Sequence, residues 1–398
     1  MSITTDVIII GAGPAGLTAA RILAASDVEY ILLDRSYQPG VDKSCGGFIP
    51  ASTLKKFSIP HIKDQHEITG VRMKFPGREL IDIDFERVLG VNIDRANLAN
   101  TLLRELPSAS NIMVGATVNK VKVHNGKSTI KVTKEDEQLE ITSKIIIDAS
   151  GANPVSLRFI PIRERISNTG MGYGLQYHLK FDKPMNHSNV FLYGSKYSPS
   201  GYCWLFPRGN IVVLGTGGLV SRVRESERRT HEYLDYILKE VDPFNEELSD
   251  GIIIKKDSAL MPLCGVIRPS YGNRILLAGD AAAHCSPISG EGIHYAMVGG
   301  SHAANTARRC IENEDYSEKM LSKYEVNWTK EIGSDLKWGL WLQRKLMRPG
   351  REKSAGWSSS GFIDSDKSQR IIAEMLMGSR SVRNAIIRVA PSYIRSKF

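Results

Sequence analysis

The sequence predicts an α/β (α+β) protein: a Rossmann-type domain built on a parallel sheet, an inserted antiparallel β-sheet domain, and C-terminal helices. Three observations predict it. The apolar run Val7–Ile10 passes directly into Gly11-Ala-Gly13-Pro-Ala-Gly16 and then into the helical pattern Leu17–Ala25. A second run, Ile275–Ala278, leads into another glycine-containing loop and a helix reaching about Glu312. Between them, residues 172–216 hold four strand-like runs punctuated by Gly, Pro and Ser.

The elements follow in order. Val7–Ile10 suits a strand buried on both faces, and Tyr30–Leu33 reads as its neighbour, giving a β-turn-α-β unit. Residues 69–85 alternate in polarity around Pro76-Gly77, as in a hairpin. Asn97–Leu106 is helical, and Val118–Val123, Ser128–Thr133 and Leu139–Ile141 form a meander ending in Ile145–Ile147. Gly172–Phe181, Val190–Tyr193, Tyr202–Phe206 and Ile211–Leu214 belong to a different sheet. Residues 226–247 and 316–347 read as helices, 349–366 as a Gly/Ser linker, and 367–396 as one or two helices. The expected division is a discontinuous cofactor domain (1–50, 86–160, 270–310), an inserted substrate-binding sheet domain (51–85, 161–269) and a helical region (311–398). No internal repeat is visible.

At 398 residues with 42% hydrophobic content, the chain has material for more than one core, and disorder is not expected for most of it. The charge is unevenly spread. Residues 341–398 hold twelve bases against four acids, which is +8 of the net +9. That points to an acidic partner (membrane headgroups, a phosphorylated substrate or an acidic carrier protein) or to a solvated helical tail. No recognition motif accompanies the charge, so nucleic acid is not expected. Cys45, Cys203, Cys264, Cys285 and Cys310 are odd in number and contain no CxxC, which argues against a disulfide framework or zinc site and for a reducing, cytoplasmic setting. No signal peptide or membrane-spanning run is evident, so any membrane contact is expected to be peripheral, at the inner face. No metal constellation is visible either.

The Gly11-x-Gly13-x-x-Gly16 pattern has a physical reading. Gly11 makes a tight turn, Gly13 lets the backbone approach a pyrophosphate, and Gly16 lets helix pack on strand. The helix N-terminus offers free N–H groups to the anion, and Asp34 at the end of the next strand suits ribose hydroxyls. This much leaves NAD and FAD open.

Further motifs carry a resemblance. Ile275-Leu-Leu-Ala-Gly-Asp280 resembles the GD motif of the large FAD-dependent hydroxylase and reductase superfamily, whose Asp bonds the ribityl chain. Arg95, in Val91-Asn-Ile-Asp-Arg-Ala-Asn-Leu, matches that superfamily's helix-head Arg, and Asp148-Ala-Ser-Gly151 its strand-end D-x-x-G. More narrowly, three stretches resemble geranylgeranyl reductases. They are Lys43-Ser-Cys45-Gly46-Gly47, Tyr202-Cys-Trp204-Leu-Phe206-Pro-Arg-Gly209 and Gly290-Glu-Gly292-Ile293-His-Tyr-Ala296-Met. Ser44 stands where that family usually has Pro, and Cys285 stands where a less reactive residue is usual. The resemblance covers roughly residues 5–310.

The resemblance implies FAD, with contacts at Gly11, Gly13, Ala15, Gly16, Asp34, Cys45, Gly46, Arg95, Val118, Asp280, Gly292 and Ile293. It implies saturation of C=C bonds in a prenylated lipid or prenyl diphosphate, with electrons from a ferredoxin-like protein or NADPH. An unpolarised alkene must be held close to the flavin, away from water, while a proton reaches the other carbon. Tyr202, Trp204 and Phe206 recur with period two, so they share a face. They either line a substrate tunnel or simply form the sheet's core face. Cys45 is the catalytic candidate, tuning the flavin or supplying a proton, unless it is a small buried thiol filling the loop. His284 and His294 suit helix-surface or capping roles better than acid catalysis, and Glu291 reads as a loop anion. Two other functions stay open: an aromatic-type flavin monooxygenase, with a flavin halogenase a weaker variant, and a non-catalytic membrane-associated flavoprotein. The stripe Ile371, Ile372, Met375 and Leu376 beside Arg370 and Arg380 would serve anionic-lipid attachment or pack on the protein.

Overall fold

A computed structural model describes residues 2–41, 43–107, 111–346, 363 and 365–395. Its centre is a six-stranded sheet in the order Tyr271–Gly272, Ile275–Leu277, Ile145–Asp148, Val7–Ile10, Tyr30–Leu33 and Asn111–Met113. All pairs are parallel except the first. The continuous apolar runs are explained by the two faces. Val7, Ile9, Leu32, Ile145, Ile147 and Leu276 pack against helices. Ile8, Ile10, Ile31, Leu33, Ile146, Ile275 and Leu277 pack against a four-stranded sheet. That second sheet is the expected meander, Ala116–His124, Lys127–Lys134 and Glu137–Ser143, with Ser2–Thr4 added in parallel at its edge. Each fully buried Ile or Leu in these layers contributes about 1.5–3 kcal/mol.

A seven-stranded sheet runs Ile252–Pro262, Met171–Lys180, Ile211–Leu219, Tyr202–Arg208, Ser188–Tyr193, Gly70–Lys74 and Ile81–Asp84. The last two strands are the expected hairpin. One face is covered by the helices Thr230–Glu240 and Phe244–Glu247 over Cys203, Leu205, Val212 and Leu214. The other face carries Phe191 and Phe206 and is covered by the C-terminal helices Asp366–Leu376 and Val382–Arg395. A three-stranded sheet of Phe48–Pro50, Gly90–Asn92 and His66–Ile68 lies between the two large sheets. Buried Asn92 ties it to the seven-stranded sheet, donating to Asn189 Oδ1 at 2.8 Å and Pro207 O at 2.7 Å.

Three readings change. Residues 226–247 are not one helix: Thr230–Glu240 stops before Asp242-Pro243, and a short helix follows. Proline disfavours helical backbone in the residue before it, and Val241 is already extended. The strand Ile252–Pro262 was not foreseen: its first five residues are exposed throughout, and the burial alternation from Asp257 to Met261 falls on residues whose polarity does not alternate with it. The stripe Ile371, Ile372, Met375 and Leu376 is turned into the protein, at most 7% exposed, and so is closed to lipid. The linker read over 349–366 lies mostly outside the described residues. No helix among the described residues is long and apolar enough to cross a membrane.

Candidate active site

The glycine fingerprint adopts the geometry its chemistry requires. Gly11 has φ +103°, and a Cβ there would stand 2.5 Å from Ala149 O. A Cβ at Gly16 would stand 1.9 Å from Gly11 O, so turn and helix touch backbone to backbone. Gly13 differs: a Cβ on it meets nothing within 4 Å, leaving room above the turn for a ligand. The helix Pro14–Ala24 has no side-chain cap and no acid in its first turn, so its leading N–H groups face that room. Asp34 braces the turn, accepting from Ala12 N at 2.7 Å and Ser36 N at 2.8 Å.

The second half of the cradle is brought from far along the chain. Gly279, at φ +65°, sets the Asp280 turn against the fingerprint helix, where a Cβ would meet Ala15 Cβ at 3.0 Å. Gly300, in the helix Ile293–Glu312, passes so close that a Cβ would lie 2.1 Å from Ala15 O. Gly292 is the uncapped N-cap of that helix, and its Cβ position is 3.8 Å from Asp280 Oδ1. Burial raises the Asp280 pKa, while Arg95 and Lys43 oppose the rise. Lys43 is held below its usual range by desolvation, then by Arg35 and Arg95, against the pull of Asp34 and Asp280. Two cations, an acid and two helix N-termini thus converge where a dinucleotide's phosphates and ribityl hydroxyls would need partners. These residues fit a flavin dinucleotide, for which Asp34, Arg95, Lys43 and Asp280 would be the polar partners.

Two distant motifs meet next to this cradle. A Cβ on Gly46 would stand 2.7 Å from the Phe206 ring and 3.6 Å from Trp204 Cδ1. The Cys45 loop therefore lies directly on the aromatic strand. Trp204 spreads over two glycines of neighbouring strands, its ring atoms 2.2 Å from a Cβ on Gly215 and 3.3 Å from one on Gly174. Tyr202 donates to Ser289 O and stands edge-on to Trp204, with centroids 5.9 Å apart. Phe191 extends the wall, 5.4 Å from Phe206. Trp204 Nε1 is buried without a partner among the described residues. The wall is thus apolar except at Tyr202 Oη and this N–H. Cys45 Sγ accepts from Gly47 N at 3.4 Å.

Sequence reading missed a polar row on this same face. Gln176 Nε2 donates to Cys45 O at 3.4 Å and contacts His178 Nε2 at 3.2 Å, and His178 pairs with Asp257 at 3.3 Å. Burial would raise the Asp257 pKa, but His178, Lys255 and Ser44 together pull it well below the usual range. A signal was present for the first two: Gln176 and His178 are polar at period two beside Tyr177 and Leu179.

Other candidates are used internally. Asp148 spends both oxygens on Ser150 and Ser156, including their N–H groups at 3.0 and 2.7 Å, so it fixes the loop. Val118 points into the core between the sheets, and its strand is irregularly paired there, between Val118 and Lys120. His284 is not on a helix surface: it is fully buried against Trp328, at 4.6 Å, and burial lowers its pKa to about 3. His294 is partly buried in the first turn of Ile293–Glu312 and contacts Thr53 Oγ1 at 2.9 Å.

Glu291 is more than a loop anion. Its Oε1 is buried without a partner among the described residues, at a cavity of about 60 Å³ shared with His294, Tyr295, Asp335 and Arg380. Burial, and then Asp335, raise its pKa from 4.5 to about 7. The folded protein therefore holds this proton up to about pH 7, whereas the unfolded chain releases it near 4.5. The protonated acid favours folding below pH 4.5, and that contribution is lost as pH rises through about 7. The loss should be on the order of 3 kcal/mol. Glu291→Gln is expected to remove this slope in urea denaturation at pH 4.5 and 7.5; parallel curves for variant and parent would contradict the assignment.

The fold and this cradle define a flavin-dependent oxidoreductase. The chain belongs to the pyridine nucleotide-disulphide oxidoreductase family, whose pattern matches residues 5–217. It is 26% identical over 342 residues to digeranylgeranylglycerophospholipid reductase 2 of Methanopyrus kandleri, covering 84% of this chain and 85% of that one. It is 29% identical to geranylgeranyl diphosphate reductase of Rhodobacter capsulatus, covering 83% and 82%. Its fold is shared by a geranylgeranyl bacteriochlorophyll reductase-like protein from Thermoplasma acidophilum, with a TM-score of 0.81, 22% identity, and coverage of 98% and 100%. The likeness to geranylgeranyl reductases expected from three short motifs thus extends over most of the chain.

Proposed function

We propose that the protein is an FAD-dependent reductase that saturates isolated C=C bonds of geranylgeranyl-type prenyl chains, carried by a membrane lipid or a diphosphate. The observation that carries this reading is the contact of the Cys45-Gly46 loop with Trp204 and Phe206. It sets an apolar wall beside the cradle, where an aromatic hydroxylase needs polar groups to orient a phenol. The relatives named above support the same substrate class.

FAD, once bound and reduced, would supply the hydride. The chain's own residues do the rest. Gly11, Gly13, Ala15 and Gly16 receive the pyrophosphate, Asp34 the ribose, and Arg95, Lys43 and Asp280 the remaining polar groups. Gly292 and Ile293 present a helix N-terminus beside Asp280. Tyr202, Trp204 and Phe206 hold the alkene and exclude water, so that orientation rather than polarisation lowers the barrier. The second alkene carbon needs a proton, and Cys45 is the assigned donor. Its loop is tied through Gln176, His178 and Asp257 to groups that can fix its position. Electrons come from a ferredoxin-like protein or NADPH.

The test is anaerobic turnover of a geranylgeranyl lipid by dithionite-reduced protein, followed by mass spectrometry. The expected product gains two hydrogens per double bond. An absolute requirement for oxygen, with oxygen incorporated, would instead identify a monooxygenase. In the same assay Cys45→Ser is expected to slow reduction about 10²–10⁴-fold, the usual weight of a positioned proton donor.

A further inference from the structure

The seven-stranded sheet ends at Ile252–Pro262, whose outer rim pairs with nothing among the described residues. Ile252, Ile253 and Ile254 stand there 69%, 39% and 51% exposed. Three successive exposed isoleucines on a sheet edge would invite pairing with another strand, and soluble proteins avoid or use such features. This edge is blunted against strand pairing. Its register runs from His178↔Lys255 to Leu179↔Ile253, so Ile254 is an extra, bulged residue. Lys255 and Lys256 follow directly. Bulges and edge lysines both disfavour strand addition.

The same features suit an anionic bilayer. Apolar side chains can enter the acyl boundary while neighbouring cations meet headgroup phosphates. Lys180, in register with Ile252, adds a third cation, against Asp250 at the head of the strand. The location matches the proposed chemistry. Lys255 Nζ donates to Val41 O at 3.5 Å, and Val41 is itself 40% exposed. Ser44, beside Cys45, lies close enough to Asp257 on the same edge strand to help lower its pKa. The amphipathic stripe of the C-terminal helices is meanwhile buried.

We propose that Ile252–Lys256, with Val41, is the surface by which this protein inserts into an anionic bilayer, setting the Cys45 loop against the headgroup layer so that prenyl chains pass from lipid to the aromatic wall. The path of the chains rests on the prenyl-reductase reading, whereas the insertion itself does not.

The test uses the full flavin-loaded chain and vesicles of phosphatidylcholine with or without phosphatidylglycerol. Flotation with the anionic vesicles is expected. The combined variant Ile252→Ser, Ile253→Ser, Ile254→Ser should lose at least about tenfold in vesicle affinity, and Lys256→Glu should weaken binding most at low salt. The triple variant should keep its turnover of water-dispersed geranylgeranyl diphosphate and lose it on vesicle-embedded lipid. Equal flotation of triple variant and parent overturns the proposal. So does a parent that ignores vesicles and forms a dimer in sedimentation that the triple variant cannot form. If the triple variant alone stops floating while neither protein reduces any prenyl chain, the membrane surface stands and the reductase reading falls.

Discussion

Gly16→Val is expected to yield a chain with no bound flavin and a loss of stability on the order of 5 kcal/mol. The new Cβ would sit 1.9 Å from Gly11 O, a backbone atom of the same turn, so no side chain can move aside to relieve the clash. Gly13→Ala provides the contrast. Its Cβ meets nothing within 4 Å, so the fold should change by less than about 0.5 kcal/mol. The methyl would nevertheless project into the space assigned to the pyrophosphate, and flavin affinity should fall by about 10–100-fold. Flavin absorbance of the purified proteins and urea denaturation read the two effects separately. A Gly13→Ala protein that holds flavin as tightly as its parent would remove the pyrophosphate from this turn.

Trp204→Ala is expected to cut prenyl reduction by about 100-fold or more, the scale on which misplacement of a reacting group acts. Flavin content should remain close to the parent's, because the indole covers Gly215 and Gly174 rather than the fingerprint or Asp280. The stability cost should be about 3 kcal/mol, at the low end for a large aromatic, since Trp204 is only partly buried and its Nε1 leaves no hydrogen-bond partner behind. Turnover of a geranylgeranyl lipid, measured against flavin absorbance, decides the matter. Parallel loss of both would reduce Tyr202, Trp204 and Phe206 to a core face.

What could be read from the sequence follows from the range of the interactions involved. The runs Val7–Ile10, Tyr30–Leu33 and Ile275–Leu277 were legible because a strand buried on both faces leaves an uninterrupted apolar signature. Period two in Tyr202, Trp204 and Phe206 placed them on one face, and the structure shows what that face meets: the Cys45 loop, some 160 residues earlier in the chain. That encounter is a matter of tertiary packing, and no local pattern encodes it. The row Gln176–His178–Asp257 was hidden for the same reason, since Asp257 comes from a strand whose residue polarity does not follow its burial. The environment of Glu291 depends on Asp335 and on the C-terminal helices, which a lone Glu in a glycine loop does not announce. The stripe at 371–376 was visible as amphipathic, but a helical period says only that one side is apolar. The hairpin and the two strands bearing Phe191 and Phe206 supply the surface it covers.

The tight passage of Gly300 over Ala15 O has a consequence for biosynthesis. The fingerprint is translated first, yet the helix that completes its cradle ends at Glu312. A ribosome must therefore extend most of the polypeptide before the two halves can close on each other, and such long-range closure is slow. Flavin offered to the nascent chain would find the turn, Asp34, Lys43 and Arg95, but neither Asp280 nor the second helix N-terminus. Capture of the cofactor is thus a late event in maturation, and cells short of flavin should accumulate a full-length, incompletely consolidated apoprotein rather than a truncated one.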